Sequence, residues 1–214
     1  EIESVIQRAC KDGFGGISLV QDTKLWGVGI SLGRERVYYL PASDQMPMEK
    51  VKGFLNQLFK GCEMVSVLDL KTMLSLVETA EQKKVFDTQI AAYLLNPLKS
   101  NYTFDDIAKE FAGEILTTTE DLFGSSKLPR FETVAEETLA SYAGNMAYSA
   151  YSTKEPLTQQ LKELGMYDLY TEIEIPLAFT LHDMEKAGIR VEADALKVYG
   201  EQLQVRIVEL EKII

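Results

Sequence analysis

The chain has 214 residues, of which 46% are apolar, and its formal net charge at pH 7 is −11. This length fits one large domain, or one domain with an attached element, and the apolar share is enough for a substantial core. The composition argues against two classes of protein. No apolar run approaches the ~20 residues of a membrane span, and no dense Lys/Arg patch offers the basic face that unaided DNA binding requires.

The two cysteines and the single histidine limit the chemistry that the chain can carry. Cys10 and Cys62 are far apart in the sequence and outside any Cys-x-x-Cys pattern, so we expect buried thiols in a reducing compartment rather than a disulfide. His182 alone excludes a His-clustered zinc site and is typical of a polar residue on a helix. The sequence shows no basic segment followed by an apolar one at its start, so we expect no secretory leader and a cytoplasmic protein.

The first third of the sequence predicts alternating helices and strands. Ile2, Val5, Ile6 and Ala9 have helical spacing, and Gly33-Arg34-Glu35 between two strand-like runs is typical of a hairpin turn. The predicted elements are a helix at 2–9, strands at 16–20, 25–32 and 36–40, a helix at 51–58, a strand at 64–68 and a helix at 70–77.

The remainder of the sequence predicts helices. Asp87 precedes a helical pattern and is suited to cap it, and Thr103 with Asp106 resembles a capping box. Between Gly113 and Pro129 the apolar periodicity fails, which favours a mobile loop. The predicted helices are at 90–95, at 107–111, at 139–150, at 157–164 before Gly165, at 167–187 with a bend at Pro176, and from 193 to the final residue.

Both ends of the sequence lead us to expect a fragment of a longer protein. The chain begins at Glu1 rather than at a Met. The repeating pattern of Leu196, Leu203 and Leu210 reaches Ile214 without a cap or a helix-breaking residue, so we expect the last helix to continue.

Four segments carry a resemblance to a known family. The segments are FDTQIAAYLLNP at Phe86–Pro97, the hairpin Leu25–Pro41, YTEIEIPL at Tyr170–Leu177 and MEKAGIRV at Met184–Val191. They resemble the 3′–5′ exonuclease domain of bacterial DNA polymerase I, a family A polymerase, with the helix and turn that lead from it to the polymerase domain. The resemblance implies an α/β, ribonuclease-H-like exonuclease fold: a central mixed β-sheet flanked by helices, with a helical C-terminal part.

The same resemblance locates the positions of the catalytic motifs. The family hydrolyses phosphodiesters with two divalent metals, held by Asp-x-Glu on the first strand, an Asp in a second motif and Tyr-x-x-x-Asp on a late helix. The matching carboxylate positions are Ser18 and Val20, then Met73, then Met146, with Tyr142 as a retained motif tyrosine. Hydroxyl, aliphatic and thioether groups bind hard cations poorly. The resemblance therefore implies a degenerate site, with no intact catalytic residue, no metal and no cofactor in this domain.

Domain organisation and partners also follow from the resemblance. It implies an exonuclease-like domain over residues 1–165 and a helical connector over 166–214. The implied parent protein is a DNA-directed DNA polymerase of DNA replication and repair, with Mg²⁺ in its polymerase domain. That polymerase domain is the expected partner. Contact with DNA is expected through the parent protein, weak or absent for this fragment, and no membrane contact is expected.

Carboxylates outside the motif positions leave alternatives open. Asp22 is typical of an exposed turn residue and Asp69 of a helix N-cap. One alternative is an active metal-dependent 3′–5′ exonuclease that uses the rearranged carboxylates Asp22, Asp69 and Asp87, and another is a stand-alone protein-interaction module. The pairs Asp105-Asp106 and Glu136-Glu137 lie near predicted helix starts, where acidic side chains interact favourably with the helix dipole. Whether this domain is an enzyme stays open, with loss of exonuclease activity as the favoured interpretation.

Overall fold

The computed structural model describes residues 2–213, and its centre is one five-stranded sheet. The strands are β1 (Phe14–Gln21), β2 (Leu25–Ser31), β3 (Val37–Pro41), β4 (Met64–Val67) and β5 (Val85–Asp87). Their order in the sheet is β3-β2-β1-β4-β5. The β1–β2 and β2–β3 pairs are antiparallel, and the β1–β4 and β4–β5 pairs are parallel. The expectation of a mixed sheet is confirmed.

Helices form most of the remaining chain. They are α1 (Ile2–Asp12), α2 (Met48–Gly61), α3 (Leu70–Leu74), α4 (Thr88–Leu95), α5 (Phe104–Ile107), α6 (Thr119–Phe123), α7 (Glu136–Glu163), α8 (Tyr167–Leu169), α9 (Ile175–Ala187) and α10 (Ala193–Glu211). Two π-helical turns are present as well, Ala108–Ala112 directly after α5 and Tyr170–Glu174 directly before α9. Among residues 2–213, no helix is long and apolar enough to cross a membrane.

The chain divides into two compact units, Glu1–His182 and Asp183–Ile214. The sheet belongs to the first unit, and α10 belongs to the second. The first unit extends past residue 165, the expected end of the exonuclease-like domain, because Tyr170 is buried and its ring lies 5.0 Å from that of Phe86. The residues on which the expectation of a truncated chain depends, Glu1 and Ile214, lie outside the described part of the chain.

The longest helix, α7, packs directly across β1, β2 and β3. Glycines on the strands allow this close approach. A Cβ at Gly16 would lie 2.2 Å from the carbonyl oxygen of Ala147, and a Cβ at Gly29 would lie 2.3 Å from that of Ala143. Any other residue at either position would push the helix away from the sheet, so these two glycines determine how near the backbone of α7 comes to β1 and β2.

Other parts of the structure differ from the prediction. The helices expected at 139–150 and 157–164 are one 28-residue helix that contains Pro156. Pro156 removes one helical hydrogen bond, but buried Leu157 and Leu161 continue the apolar face beyond it and hold the helix together. The strand β5 was not predicted, because three residues are too few to show a strand period. The helix expected over 167–187 is interrupted by a π-helical turn, Tyr170–Glu174, which ends two residues before Pro176.

The expected mobile loop between Gly113 and Pro129 is only partly irregular, because it contains α6. Thr118 begins this helix with a complete capping box, in which its hydroxyl accepts a bond from the N–H of Asp121 and the Asp121 carboxylate accepts one from the N–H of Thr118. At the other predicted capping box, Thr103 accepts a bond from the N–H of Asp106. No reciprocal bond from the Thr103 N–H to the Asp106 side chain accompanies it.

Candidate functional site

A cavity of about 200 Å³ lies beside the middle of β1 and the C-terminal end of β4, next to α3 and α7. Ser18, Met73 and Met146 are among the residues that line it, together with Asp69 and Gln89. We call this cavity the motif cleft. The fold therefore brings together three of the four positions that the resemblance assigned to metal-binding carboxylates, although they are spread over 129 positions of the sequence from 18 to 146.

The other two motif positions, Val20 and Tyr142, do not line the motif cleft. They belong to a buried apolar cluster that also includes Met146. The ring of Tyr142 packs edge-to-face against Phe104 at 5.7 Å and against Phe123 at 5.1 Å. Burial raises the pKa of the Tyr142 phenol above its ordinary value. This tyrosine is therefore part of an aromatic core rather than a polar group facing the cleft.

Ser18 is bonded directly to the backbone of α7. Its hydroxyl donates a hydrogen bond of 2.7 Å to the carbonyl oxygen of Ala143, and the residue is only 3% exposed. Gly29, the partner of Ser18 across the β1–β2 pair, allows this contact, since a Cβ at Gly29 would lie 2.5 Å from the Ser18 oxygen. Gly29 of β2 and the backbone of α7 thus enclose the Ser18 side chain. A larger, charged side chain at position 18 would need more room than they leave.

Two methionines give the motif cleft an apolar wall. Met73, on α3, is 2% exposed, and Met146, on α7, is also buried. Met73 packs into the main core cluster, whereas Met146 packs into the cluster that holds Tyr142. Methionine fills irregular apolar space, and its thioether is a poor ligand for hard cations. The walls of the cleft are therefore part of the hydrophobic core.

Asp69 is the carboxylate that lines the motif cleft, and it caps α3. One of its oxygens accepts a bond of 3.0 Å from the backbone N–H of Thr72, and the other accepts one of 2.6 Å from the Thr72 hydroxyl. The prediction of a helix N-cap at this position is confirmed. Both oxygens of the exposed Asp69 side chain are engaged in holding the first turn of α3.

The donor set of the motif cleft does not fit the paired divalent metals that the family resemblance implies. Hard cations such as Mg²⁺ and Mn²⁺ prefer several carboxylate or carbonyl oxygens. The cleft instead offers one capping carboxylate, the hydroxyls of Ser18 and Thr72, which already donate to Ala143 and Asp69, the amide of Gln89, and two thioethers. Among residues 2–213, no three His, Cys, Asp or Glu side chains are grouped so that they could hold a metal ion.

Asp87 has a more unusual environment than the sequence indicated. As predicted, it caps α4, with one carboxylate oxygen accepting a bond of 2.8 Å from the N–H of Ile90. Its other oxygen accepts one of 2.7 Å from the N–H of Leu70, which ties β5 to α3. The side chain is 2% exposed. Burial raises the pKa of Asp87 to about 7, against the backbone bonds from Ile90 and Leu70, which lower it.

The three carboxylates of the rearranged-nuclease alternative are only partly brought together. Asp69 and Asp87 both line a second cavity of about 350 Å³, which also includes Glu174. We call it the side cavity. Asp22 lines neither of these two cavities. Its carboxylate accepts bonds from the indole N–H of Trp26 at 2.9 Å and from the backbone N–H of Lys24 at 3.1 Å, and the bond from the indole N–H lowers its pKa.

Comparison with known proteins identifies the family of this fold. Residues 21–151, more than half of the chain, match the family described as DNA polymerase I, ribonuclease H-like domain. The chain belongs to this family. Its five-stranded mixed sheet with flanking helices is the ribonuclease-H-like exonuclease fold, so the predicted fold class is confirmed.

Relatives of this DNA polymerase I domain are much longer proteins. DNA polymerase I of Bacillus subtilis (strain 168) is 34% identical over 127 residues, which make up 59% of this chain and 14% of that protein. DNA polymerase I of Geobacillus stearothermophilus is 29% identical over 187 residues, or 86% of this chain and 21% of that protein. The chain thus spans about a fifth or less of the length of these two relatives.

A solved structure resembles the fold over nearly the whole chain. The POL domain of Pol1 from M. smegmatis, in complex with DNA primer–template and dNTP, superimposes with a TM-score of 0.67 at 21% identity. The match covers 98% of this chain and 34% of that one. At this level of identity the likeness concerns the fold alone.

Proposed function

We propose that this chain is a 3′–5′ exonuclease-like domain of a bacterial DNA polymerase I that has lost exonuclease activity and acts as a structural platform for the polymerase domain of its parent chain. The observation that carries the proposal is the hydrogen bond from Ser18 to the carbonyl oxygen of Ala143 in the motif cleft. A carboxylate at position 18 would face that carbonyl oxygen instead of a metal ion. The two oxygens would repel each other in a buried setting, where unpaired charge is costly.

The apolar walls of the cleft support the same proposal. Met73 and Met146 are packed into separate hydrophobic clusters on either side of the cleft. Loss of catalysis by a single substitution would leave the remaining carboxylates in place. Here all the matched ligand positions carry other groups, and three of those groups, Val20, Met73 and Met146, contribute to the core. The domain has therefore exchanged metal binding for internal packing.

The proposal also concerns the parent protein and its contact with DNA. Membership of the DNA polymerase I family supports a parent that is a DNA-directed DNA polymerase in replication and repair, located in the cytoplasm, with Mg²⁺ in its polymerase domain. With a net charge of −11, this domain would repel the phosphate backbone, whose neutralisation supplies most non-specific affinity. Contact with DNA would come through the parent chain and be weak or absent for the domain alone.

A second candidate is an active nuclease with rearranged carboxylates, and one observation favours it. Asp69 and Asp87 line the same side cavity. Four hydrogen bonds argue against it. Each oxygen of Asp87 already accepts a backbone N–H, from Ile90 and from Leu70, and both oxygens of Asp69 are bonded to Thr72. A metal ion at this pair would have to displace the bonds that cap α3 and α4.

Hydrolysis of a 3′-labelled single-stranded oligonucleotide separates these two candidates. The chain is incubated with Mg²⁺ or Mn²⁺, with and without EDTA, beside an Asp69→Ala variant. We expect no EDTA-sensitive release of label from either protein, and equal background in both. Rapid release by the wild-type chain, abolished by EDTA and by Asp69→Ala, would overturn the proposal and establish the rearranged-carboxylate nuclease.

A further inference from the structure

The two cysteines, separated by 51 residues in the sequence, meet in the fold. Cys10 lies in the last turn of α1, and Cys62 is the C-cap of α2. Burial and the neighbouring Cys10 thiol raise the pKa of the Cys62 thiol, and the Cys10 thiol donates a long contact of 4.0 Å to the carbonyl oxygen of Gln57. Both thiols are free. The expectation of thiols rather than a disulfide is confirmed, although Cys10 is only half-buried, and folding brings the two residues together.

A glycine brings the two helix ends into contact. A Cβ at Gly61, the residue before Cys62, would lie 2.3 Å from the Cys10 sulfur and 3.3 Å from the Cys10 Cβ. The Cys10 side chain therefore rests against the backbone of α2 at its last residue. A disulfide joins Cβ atoms about 3.5–4.5 Å apart. Because Gly61 directly precedes Cys62, the Cys10 side chain lies within one residue of the partner that such a bond would join.

The two thiols differ in access to solvent. Cys10 is half-buried, whereas Cys62 is 2% exposed. Burial raises the pKa of the Cys62 thiol to about 12, and the neighbouring Cys10 makes a smaller contribution in the same direction. A reagent from solvent therefore reaches Cys10 first. Cys62, buried beside it, is shielded from such a reagent.

We propose that Cys10 and Cys62 form a two-cysteine oxidation site, at which a hydroperoxide converts the adjacent thiols into a disulfide that joins α1 to α2. Neither residue lines the motif cleft or the side cavity. The proposal is therefore independent of whether the domain hydrolyses DNA.

The chemistry divides into two balanced steps. The Cys10 sulfur, after losing its proton, attacks the terminal oxygen of the hydroperoxide. The O–O bond breaks, an alcohol leaves with that proton, and Cys10 becomes a sulfenic acid. The Cys62 sulfur then attacks the Cys10 sulfur, the S–S bond forms, the S–O bond breaks, and water leaves with the Cys62 proton. In total the two thiols lose two electrons and two protons, and the hydroperoxide is reduced to an alcohol and water.

Mass spectrometry tests the site directly. The 214-residue chain is treated with hydrogen peroxide, its remaining thiols are alkylated, and it is digested without reduction. We expect a linked pair of peptides containing Cys10 and Cys62, no alkylated cysteine in the linked fraction, and recovery of both thiols after dithiothreitol. The linked protein should also melt at a higher temperature than the reduced one, because the bond closes a long loop.

Single variants distinguish the roles of the two thiols. Cys62→Ser should accumulate a sulfenic acid on Cys10 that dimedone traps, whereas Cys10→Ser should leave Cys62 slow to react, and neither should form the internal link. Full alkylation of both cysteines in the peroxide-treated wild-type chain, or over-oxidation of Cys10 without a link to Cys62, would overturn the proposal. Either result can be read from the wild-type protein even where a variant folds poorly.

Discussion

The hydroxyl of Tyr170 accepts a hydrogen bond of 2.7 Å from the backbone N–H of Asp87 and donates one of 3.1 Å to the carbonyl oxygen of the same residue. Asp87 ends β5, and Tyr170 begins the π-helical turn before α9. One buried side chain thus satisfies both backbone groups at the edge of the sheet. It joins the helical segment after α7 to the core, which is why the first compact unit continues past residue 165.

Removal of this hydroxyl should destabilise the domain. Tyr170→Phe keeps the ring contact with Phe86 but leaves the buried N–H of Asp87 without its partner. An unsatisfied buried group of this kind costs about 1–3 kcal/mol. Tyr93→Phe is a matched control, because the Tyr93 side chain is half exposed. Urea unfolding of both variants checks this expectation. Equal stability of Tyr170→Phe and Tyr93→Phe would contradict the structural role of the pair.

Asp87 should make stability depend on pH in an unusual direction. Its pKa is raised by burial from 3.8 to about 7, so between these values the folded state binds more protons than the unfolded state. Stability from this group is then complete below about pH 4 and is lost as the pH rises through about 7. Each unit of difference between the folded and unfolded pKa of Asp87 corresponds to ~1.4 kcal/mol in the free energy of unfolding.

The Asp87→Asn variant isolates this effect, because the amide does not titrate and all other acidic groups are shared. We expect the free energy of unfolding of the wild type minus that of the variant to fall, by a few kcal/mol at most, as the pH rises from about 4.5 to about 7.5. Chemical denaturation at several pH values gives this difference. A difference that grows with pH would mean that the backbone bonds from Leu70 and Ile90 outweigh the cost of burial.

The sequence was sufficient to predict most of the sheet and the caps. Strands with apolar runs, such as those at Leu25–Ser31 and Met64–Val67, and caps with a carboxylate at a strand–helix junction, such as Asp69, have local signatures. The resemblance to DNA polymerase I added the fold class, which spacing alone would not have given. It also located the three positions that the fold brings together in the motif cleft.

Other features depend on tertiary contacts and have no local signature. The burial of Asp87 arises from Leu70 and Tyr170, which are remote in sequence and meet only in the folded chain. The continuity of α7 through Pro156 depends on the burial of its apolar face, and the proximity of Cys10 to Cys62 depends on how α1 meets α2. The close approach of α7 to the sheet depends on Gly16 and Gly29 together, and these two residues lie on different strands.

Substitutions at Ser18 test whether the cleft has room for a catalytic carboxylate. Ser18→Ala removes one hydrogen bond and should cost about 1 kcal/mol. Ser18→Asp places a charge against the carbonyl oxygen of Ala143 and should cost about 3 kcal/mol or more. Thermal melts of the two variants provide the comparison. Equal stability of Ser18→Asp and Ser18→Ala would mean that α7 leaves room for a carboxylate at position 18.

Restoring carboxylates at the methionine positions should damage the fold rather than restore activity. Met73→Asp puts a charge into a 2%-exposed site and should cost several kcal/mol, whereas the size-matched Met73→Leu should cost less than about 1.5 kcal/mol. The quadruple variant Ser18→Asp, Val20→Glu, Met73→Asp and Met146→Asp should melt at a lower temperature than wild type and gain little hydrolysis. A stable quadruple variant with rapid Mg²⁺-dependent nuclease activity would show that the cleft kept its catalytic shape.

Manganese binding tests the central claim most directly, because Mn²⁺ takes the place of Mg²⁺ at paired-metal sites and scatters anomalously. Crystals of this chain are soaked in MnCl₂ and the anomalous difference density is examined around Ser18, Met73 and Met146. We predict no pair of peaks in the motif cleft, since it offers a single carboxylate, which caps α3, beside two bonded hydroxyls, one amide and two thioethers. Two Mn²⁺ peaks about 4 Å apart in that cleft would contradict the loss of metal-dependent chemistry in this domain.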